Sequence, residues 1–314
     1  MRIPMNASSH VVLAILILGS TAVAQQDDAP IFRRLPVEGF AQHPVISPDG
    51  KRVAFSREQY SPVEVFTLET TTSRILCTHS GAGWGLVWLD NAHLVVRSIH
   101  EDATTHARSM GVEILDVVAG TESQAVGFAP RNRLDIPIRV REGFVAVRNR
   151  GQLTAIDARR QAPEVRSVKS SEVIWSFEGS VILAGNTRIP TPGNRNVLSL
   201  SWSPDGSLAL VELLGQPSLY LFRPANGEFS SIAERGERPA WVDGERFVFM
   251  QTTDDGHDVI DADLYLGSVE NDEPRNITAS FSSPAMNPSA ARDGTVVFNT
   301  PNGELYLLEL LVTR

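Results

Sequence analysis

Two stretches of the chain gather side chains that could hold a metal ion. The first, Arg97 to Met110, contains His100, Glu101, Asp102 and His106. Imidazoles with nearby carboxylates suit a transition metal, but the spacing matches no closed zinc motif. The second runs from Asp254 and Asp255 through Asp258 to Asp261 and Asp263. Calcium takes six to eight oxygens, which clustered aspartates could supply, although the positions do not follow an EF-hand loop. A solvated acidic insertion accounts for the same residues without an ion. No cofactor is therefore assigned, and calcium stays open as an alternative. Serines and histidines are plentiful, but none stands in a G-x-S-x-G elbow or another nucleophile context. No catalytic residue is assigned.

The elements that must carry these stretches repeat. Trp202-Ser203-Pro204-Asp205-Gly206 precedes the apolar run Leu208-Ala209-Leu210-Val211. Proline presets φ at a tight turn, aspartate bonds back to the backbone, and glycine accepts positive φ. An aromatic before the turn and an apolar run after it predict two antiparallel strands. Seven segments share this pattern, with turn residues at 50, 92, 143, 179, 206, 244 and 294, spaced by about 41 residues on average. That period belongs to propeller blades. Third strands follow in most copies, as at Val63–Leu68, Gln152–Asp157 and Gly303–Leu308, and small turns lead to a fourth. The reading is all-β: a single β-propeller with four short antiparallel strands per blade. Seven blades are favoured, and six result if the closely spaced copies four and five merge. The stretch Ile31-Phe32-Arg33-Arg34-Leu35-Pro36 resembles the fourth-strand segments Ser73–Leu76 and Pro274–Thr278. It is expected to complete the last blade and remove a free sheet edge.

In such a ring the first strand of each blade lines the channel. The Pro-Asp-Gly turns then lie on one face, and their aspartates cap turns rather than do chemistry. Residues just before the first strands crowd the opposite mouth: His43, His79, Trp84, Asp135, Arg238 and Asn287. They are the candidate binding residues, a mixed polar rim with an aromatic that would suit a peptide or small anion. Ordinary solvated loop residues are the alternative explanation. The histidine-bearing stretch falls in blade two and the acidic stretch in blade six, so the two are expected to face each other across the mouth.

The chain has 314 residues, 42% of them hydrophobic, and a formal net charge of −9. It is long enough for a sizeable core. An acidic balance argues against nucleic acid, which needs a basic footprint. Residues 1–24 read as a cleavable leader: Arg2, the apolar run Val11 to Leu18, and the small-residue site Ala22-Val23-Ala24. That run is too short to span a bilayer, and no second one follows. The propeller would occupy 25–314. The single cysteine, Cys77, leaves no internal disulfide to form, which suits a bacterial periplasm.

Ser47-Pro48-Asp49-Gly50-Lys51-Arg52-Val53-Ala54-Phe55 and Trp202-Ser203-Pro204-Asp205-Gly206 closely resemble the repeat of TolB-like propellers, also found in prolyl oligopeptidase-type peptidases. The resemblance covers nearly the whole chain after the leader. The α/β domain that precedes the propeller in TolB has no counterpart here, and neither does a peptidase domain. The resemblance implies a periplasmic propeller. The expected function is non-catalytic: a monomeric scaffold binding a protein or peptide of the cell envelope through its channel-mouth loops. An enzyme, a hydrolase or lyase working on a small molecule or glycan at the mouth, is the alternative.

Overall fold

The computed structural model describes residues 30–159, 162–168, 172–255, 259–270 and 273–310. Among these, the only helical turns are two three-residue 3-10 segments, Glu58–Tyr60 and Pro192–Asn194. The strands form seven separate antiparallel sheets, six of four strands and one of three. The chain is a seven-bladed β-propeller. Blades 1 to 6 start at Gln42, Val87, Ile138, Ser176, Val197 and Glu237, and blade 7 at Met286. Copies four and five stay separate.

The turn motif folds as its chemistry dictates. Ser203 Oγ donates to Asp205 Oδ1 at 2.6 Å and accepts from Leu208 N at 3.0 Å, while Gly206 N donates to Ser203 O at 2.8 Å. Gly206 has φ +77°, and a Cβ there would meet Val140 O at 2.9 Å, so only glycine fits. Asp205, held below its usual range chiefly by the Ser203 hydroxyl, is a turn cap. Ser47 and Asp49 repeat the arrangement in blade 1.

The ring closes as anticipated. Phe32–Arg34 pairs with Leu305–Glu309, Phe32 opposite Leu308 and Arg34 opposite Tyr306. Phe32 and Phe281 pack with ring centroids 4.9 Å apart, and Phe281 meets Phe298 at 5.1 Å. The latch is thus held by aromatic packing as well as by the strand ladder.

The core is divided into seven apolar clusters, one in each seam between neighbouring blades. Strand alternation explains this: Val112 and Ile114 face the seam with blade 3, while Leu115, one residue on, faces the seam with blade 1. Tryptophans at the ends of first strands tie some seams together. Trp88 Nε1 donates to Val45 O of blade 1 at 2.8 Å, and Trp241 Nε1 to Ser201 O of blade 5 at 2.9 Å.

Blade 4 corrects the expectation of four strands per blade. It has three, Ser176–Glu178, Val181–Ala184 and Thr187–Pro190. Pro190 and Pro192 then remove backbone donors, and the chain runs directly into blade 5. Trp202, the counterpart of Trp88 and Trp241, finds no carbonyl, and its buried Nε1 has no partner among the described residues.

Candidate functional site

The mouth is built from an irregularity that occurs three times. His43, Arg238 and Asn287 each precede a proline in the first strand of blades 1, 6 and 7, and each has positive φ, +50°, +51° and +52°. Strand pairing slips across each of them. Proline is tolerated because the first strand is the sheet edge that lines the channel. A left-handed residue that is not glycine costs about 1–3 kcal/mol, and arginine is less at ease there than asparagine or histidine. Three such costs on one face mark a place where side-chain direction matters.

These residues converge on an aromatic cluster. The His43 ring lies 5.3 Å from Tyr60 and 5.8 Å from Trp84, and Tyr60 and Trp84 are 4.7 Å apart, centroid to centroid. The Arg238 guanidinium sits 5.6 Å from the Trp84 ring, a cation–π contact. Burial, reinforced by the Arg238 charge, pushes the His43 imidazole down to about 4. His43 is therefore neutral at pH 7.

The mouth extends sideways along the inner strand of blade 4. A cavity of about 600 Å³ runs from His43, Trp84 and Arg238 to Trp175 and Phe177 of blade 4. Its floor is mainly apolar; its charges are Arg97, Arg148, Arg238, Asp135 and Glu212. Arg148 Nε donates to Asp135 Oδ2 at 2.6 Å, and Arg97 Nη1 donates to Leu134 O at 3.0 Å. Glu212 is buried. Its Oε2 accepts from Ser199 Oγ at 2.8 Å and Arg238 N at 3.2 Å, and burial raises its carboxyl above the usual range.

Below the mouth, the channel itself is a cavity of about 280 Å³ in which Arg139 and Arg238 are the formal charges; no carboxylate lines it. On the blade 5–6 side Glu212, Glu234, Glu237 and Asp254 outnumber Arg235 in the lining. The channel is thus cationic and the blade 5–6 side carries an excess of carboxylates, in a chain of net charge −9.

The structure brings His43, Trp84, Asp135 and Arg238 to one cavity, and Asn287 joins His43 and Arg238 in the adjoining one. Asn287 Nδ2 donates to Asn299 Oδ1 at 3.0 Å. His79 does not line the 600 Å³ cavity; its Nδ1 stands 2.9 Å from Glu113 Oε2 in the seam between blades 1 and 2. Tyr60, Arg139 and Glu212 complete the mouth and were not among the residues expected there.

As far as the described residues extend, both candidate metal stretches lie on paired strands. His93–Glu101 pairs with Arg108–Asp116 out to Glu101 opposite Arg108. His100 and Glu101, adjacent on a strand, point to opposite faces. Asp102 caps the turn by accepting from Thr104 N and Thr105 N, and Glu101 accepts from Arg108 Nε at 2.9 Å. In blade 6, Asp261 and Asp263 lie on the third strand opposite Thr253 and Gln251. Asp263 accepts from Thr278 Oγ1 at 2.7 Å and Asn276 Nδ2 at 2.8 Å, which commits it to the blade. Asp254 ends the second strand opposite Val259, Asp255 follows it, and Asp258 lies outside the described residues. Among the described residues, Cys77, His79 and Glu113 form the group whose geometry could hold a metal ion.

No protein-family model matches the chain, and neither does any curated protein. Solved structures do match. One is a chain in the crystal structure of the mitotic checkpoint complex, with TM-score 0.56 and 15% identity over 98% of this chain and 99% of the other. Another is the Cps50 (Swd1) β-propeller domain of Myceliophteria thermophila, with TM-score 0.55 and 13% identity over 90% and 99%. TolB from Acinetobacter baumannii matches with TM-score 0.44 and 11% identity over 86% and 54%. At these identities the likeness is one of fold. No helix among the described residues is long and apolar enough to cross a membrane.

Proposed function

We propose that the protein is a non-catalytic binding propeller that takes an extended peptide segment of a partner across its channel mouth. The observation that carries this reading is an uneven distribution of charge: Arg139 and Arg238 line a channel with no carboxylate among the described residues, whereas Glu212, Glu234, Glu237 and Asp254 outnumber Arg235 on the blade 5–6 side. An extended peptide with an acidic end and a basic end can satisfy both sides. Between them, Trp84 and Tyr60 offer flat apolar surface suited to a hot spot, and the strained His43, Arg238 and Asn287 hold the rim in place. The leader pattern and the Ser-Pro-Asp-Gly repeats support a periplasmic, TolB-like setting for this work, with an envelope protein as partner.

Fluorescence anisotropy with short labelled peptides, acidic at one end and basic at the other, tests the reading. Arg238→Glu is expected to weaken binding at least tenfold, and added salt to weaken it further. Binding that ignores both peptide charge order and Arg238→Glu would overturn the reading. A second reading, catalysis at the same mouth, rests on Glu212, a buried carboxyl with a raised pKa in a cavity. Loss of turnover of an oligosaccharide or ester in Glu212→Gln, with peptide binding intact, would favour it.

A further inference from the structure

Blades 1 and 2 place a glutamate at the same register position and treat it differently. Glu64 lies opposite Phe55, and Glu113 lies opposite Val96, each at the fourth residue of its blade's second strand. Both are buried. Glu64 receives a permanent cation, since Arg57, two residues beyond Phe55, makes bonds of 2.7 and 2.8 Å to its two oxygens. The matching position in blade 2, two beyond Val96, is Ser98, which donates to Glu113 Oε2. Glu113, 3% exposed, therefore lacks the arginine of its counterpart. What faces it instead, from the end of blade 1, is His79 and Cys77.

We propose that Cys77, His79 and Glu113 form a zinc site that staples blade 1 to blade 2. The sulfur, imidazole and carboxylate ligand atoms lie within 4.8 Å of one another. Ligand atoms around a tetrahedral zinc stand roughly 3.4–3.6 Å apart, given bonds of about 2.0–2.3 Å. The set therefore needs the sulfur to move inward by about 1 Å and the 2.9 Å contact between His79 Nδ1 and Glu113 Oε2 to open slightly. On binding, the Cys77 thiol loses its proton to solvent and the His79 proton moves to Nε2, freeing the Nδ1 lone pair. A dication then balances the thiolate and the carboxylate, the task Arg57 performs for Glu64. Ser98 orients the carboxylate from behind. The His79 side chain is 34% exposed, which leaves a path for the metal and a fourth coordination position open to water.

Cobalt titration of the whole chain tests the site. The wild type is expected to develop a thiolate-to-cobalt charge-transfer band that saturates at one equivalent and is displaced by zinc. Cys77→Ser should abolish the band, and Glu113→Gln should weaken binding at least tenfold. Because changes at a buried seam can unfold a protein, Ser98→Arg serves as the second variant. It reinstates the blade 1 pairing, so it should fold, melt at or above the apo wild type, and bind no cobalt. Zinc should raise the melting temperature of the wild type but not of Ser98→Arg. No band in folded wild type, or a cobalt spectrum unchanged by Cys77→Ser or Ser98→Arg, would overturn the proposal.

Discussion

Between blades 6 and 7 the seam is packed with large side chains: Val248, Met250 and Leu264 from one blade meet Val296, Phe298 and Leu308 from the other, with Phe281, Phe32 and Tyr306 against them. Between blades 3 and 4 it holds Val140, Phe144, Ala146, Ala155 and Ile174. There the guanidinium groups of Arg141, Arg159 and Arg166 lie over the Phe144 ring at 4.7, 5.6 and 5.8 Å. One repeat thus yields a dry aromatic seam where the ring is latched and a thin, arginine-covered seam beside the missing strand. The contrast places the 600 Å³ cavity beside the thinner seam and ring closure at the thicker one.

The sharpest way to break this comparison is to empty each seam. Phe298→Ala should cost about 3–5 kcal/mol, the usual range for a buried phenylalanine. Phe144→Ala should cost less, because flexible arginines can collapse into the space. Equal losses in urea denaturation would show the two seams to be alike. Next comes pH. His43 protonates near 6.5 in the unfolded chain but only at about 4 when folded. The unfolded chain therefore binds more protons between these values, and stability falls as pH drops from 6.5 to 4. The share lost to His43 is about 3 kcal/mol. It is read as the difference between wild type and His43→Phe across that window, and a constant difference would rule it out.

A smaller contrast concerns the tryptophans. Trp88→Phe strands Val45 O and should cost about 1–2 kcal/mol beyond the change in packing. Trp202→Phe removes an N–H that already lacks a partner, so it should cost distinctly less or stabilise; thermal melts of both variants decide. The smallest effect has the opposite sign. Arg238→Gly relieves a left-handed arginine and should add about 1 kcal/mol of stability, while peptide binding at the mouth is lost. A variant that gains stability and keeps full binding would separate the strain from the function.

The fold was legible because turn chemistry is local. Pro-Asp-Gly and its variants announce themselves within a few residues, and their spacing counts the blades. The pre-proline residues His43, Arg238 and Asn287 could be placed on the mouth for the same reason. Arg139 and Glu212 could not. Each sits in an alternating strand, Ile-Arg-Val-Arg and Val-Glu-Leu, where a charged residue looks like a solvated face. Alternation tells which residues share a side of a strand, not whether that side meets water, a channel or a neighbouring blade. In the long paired strands of blades 2 and 6, polar residues hide the strand period. Cys77 and Glu113 are joined only by the packing of two blades, which no local signal reports.

The latch has one more consequence. Phe32 lies beside Leu308 in the same antiparallel sheet, so the strand that opens the fold and the strand that ends it are neighbours related as the two arms of a hairpin. A short engineered turn between them would make the ring covalently continuous, and the chain could then be cut in any loop between blades. Such circular permutants should keep the mouth intact while changing which blade is made first. Permutants that fold would show that the order of blades along the chain is a matter of synthesis rather than of the folded ring.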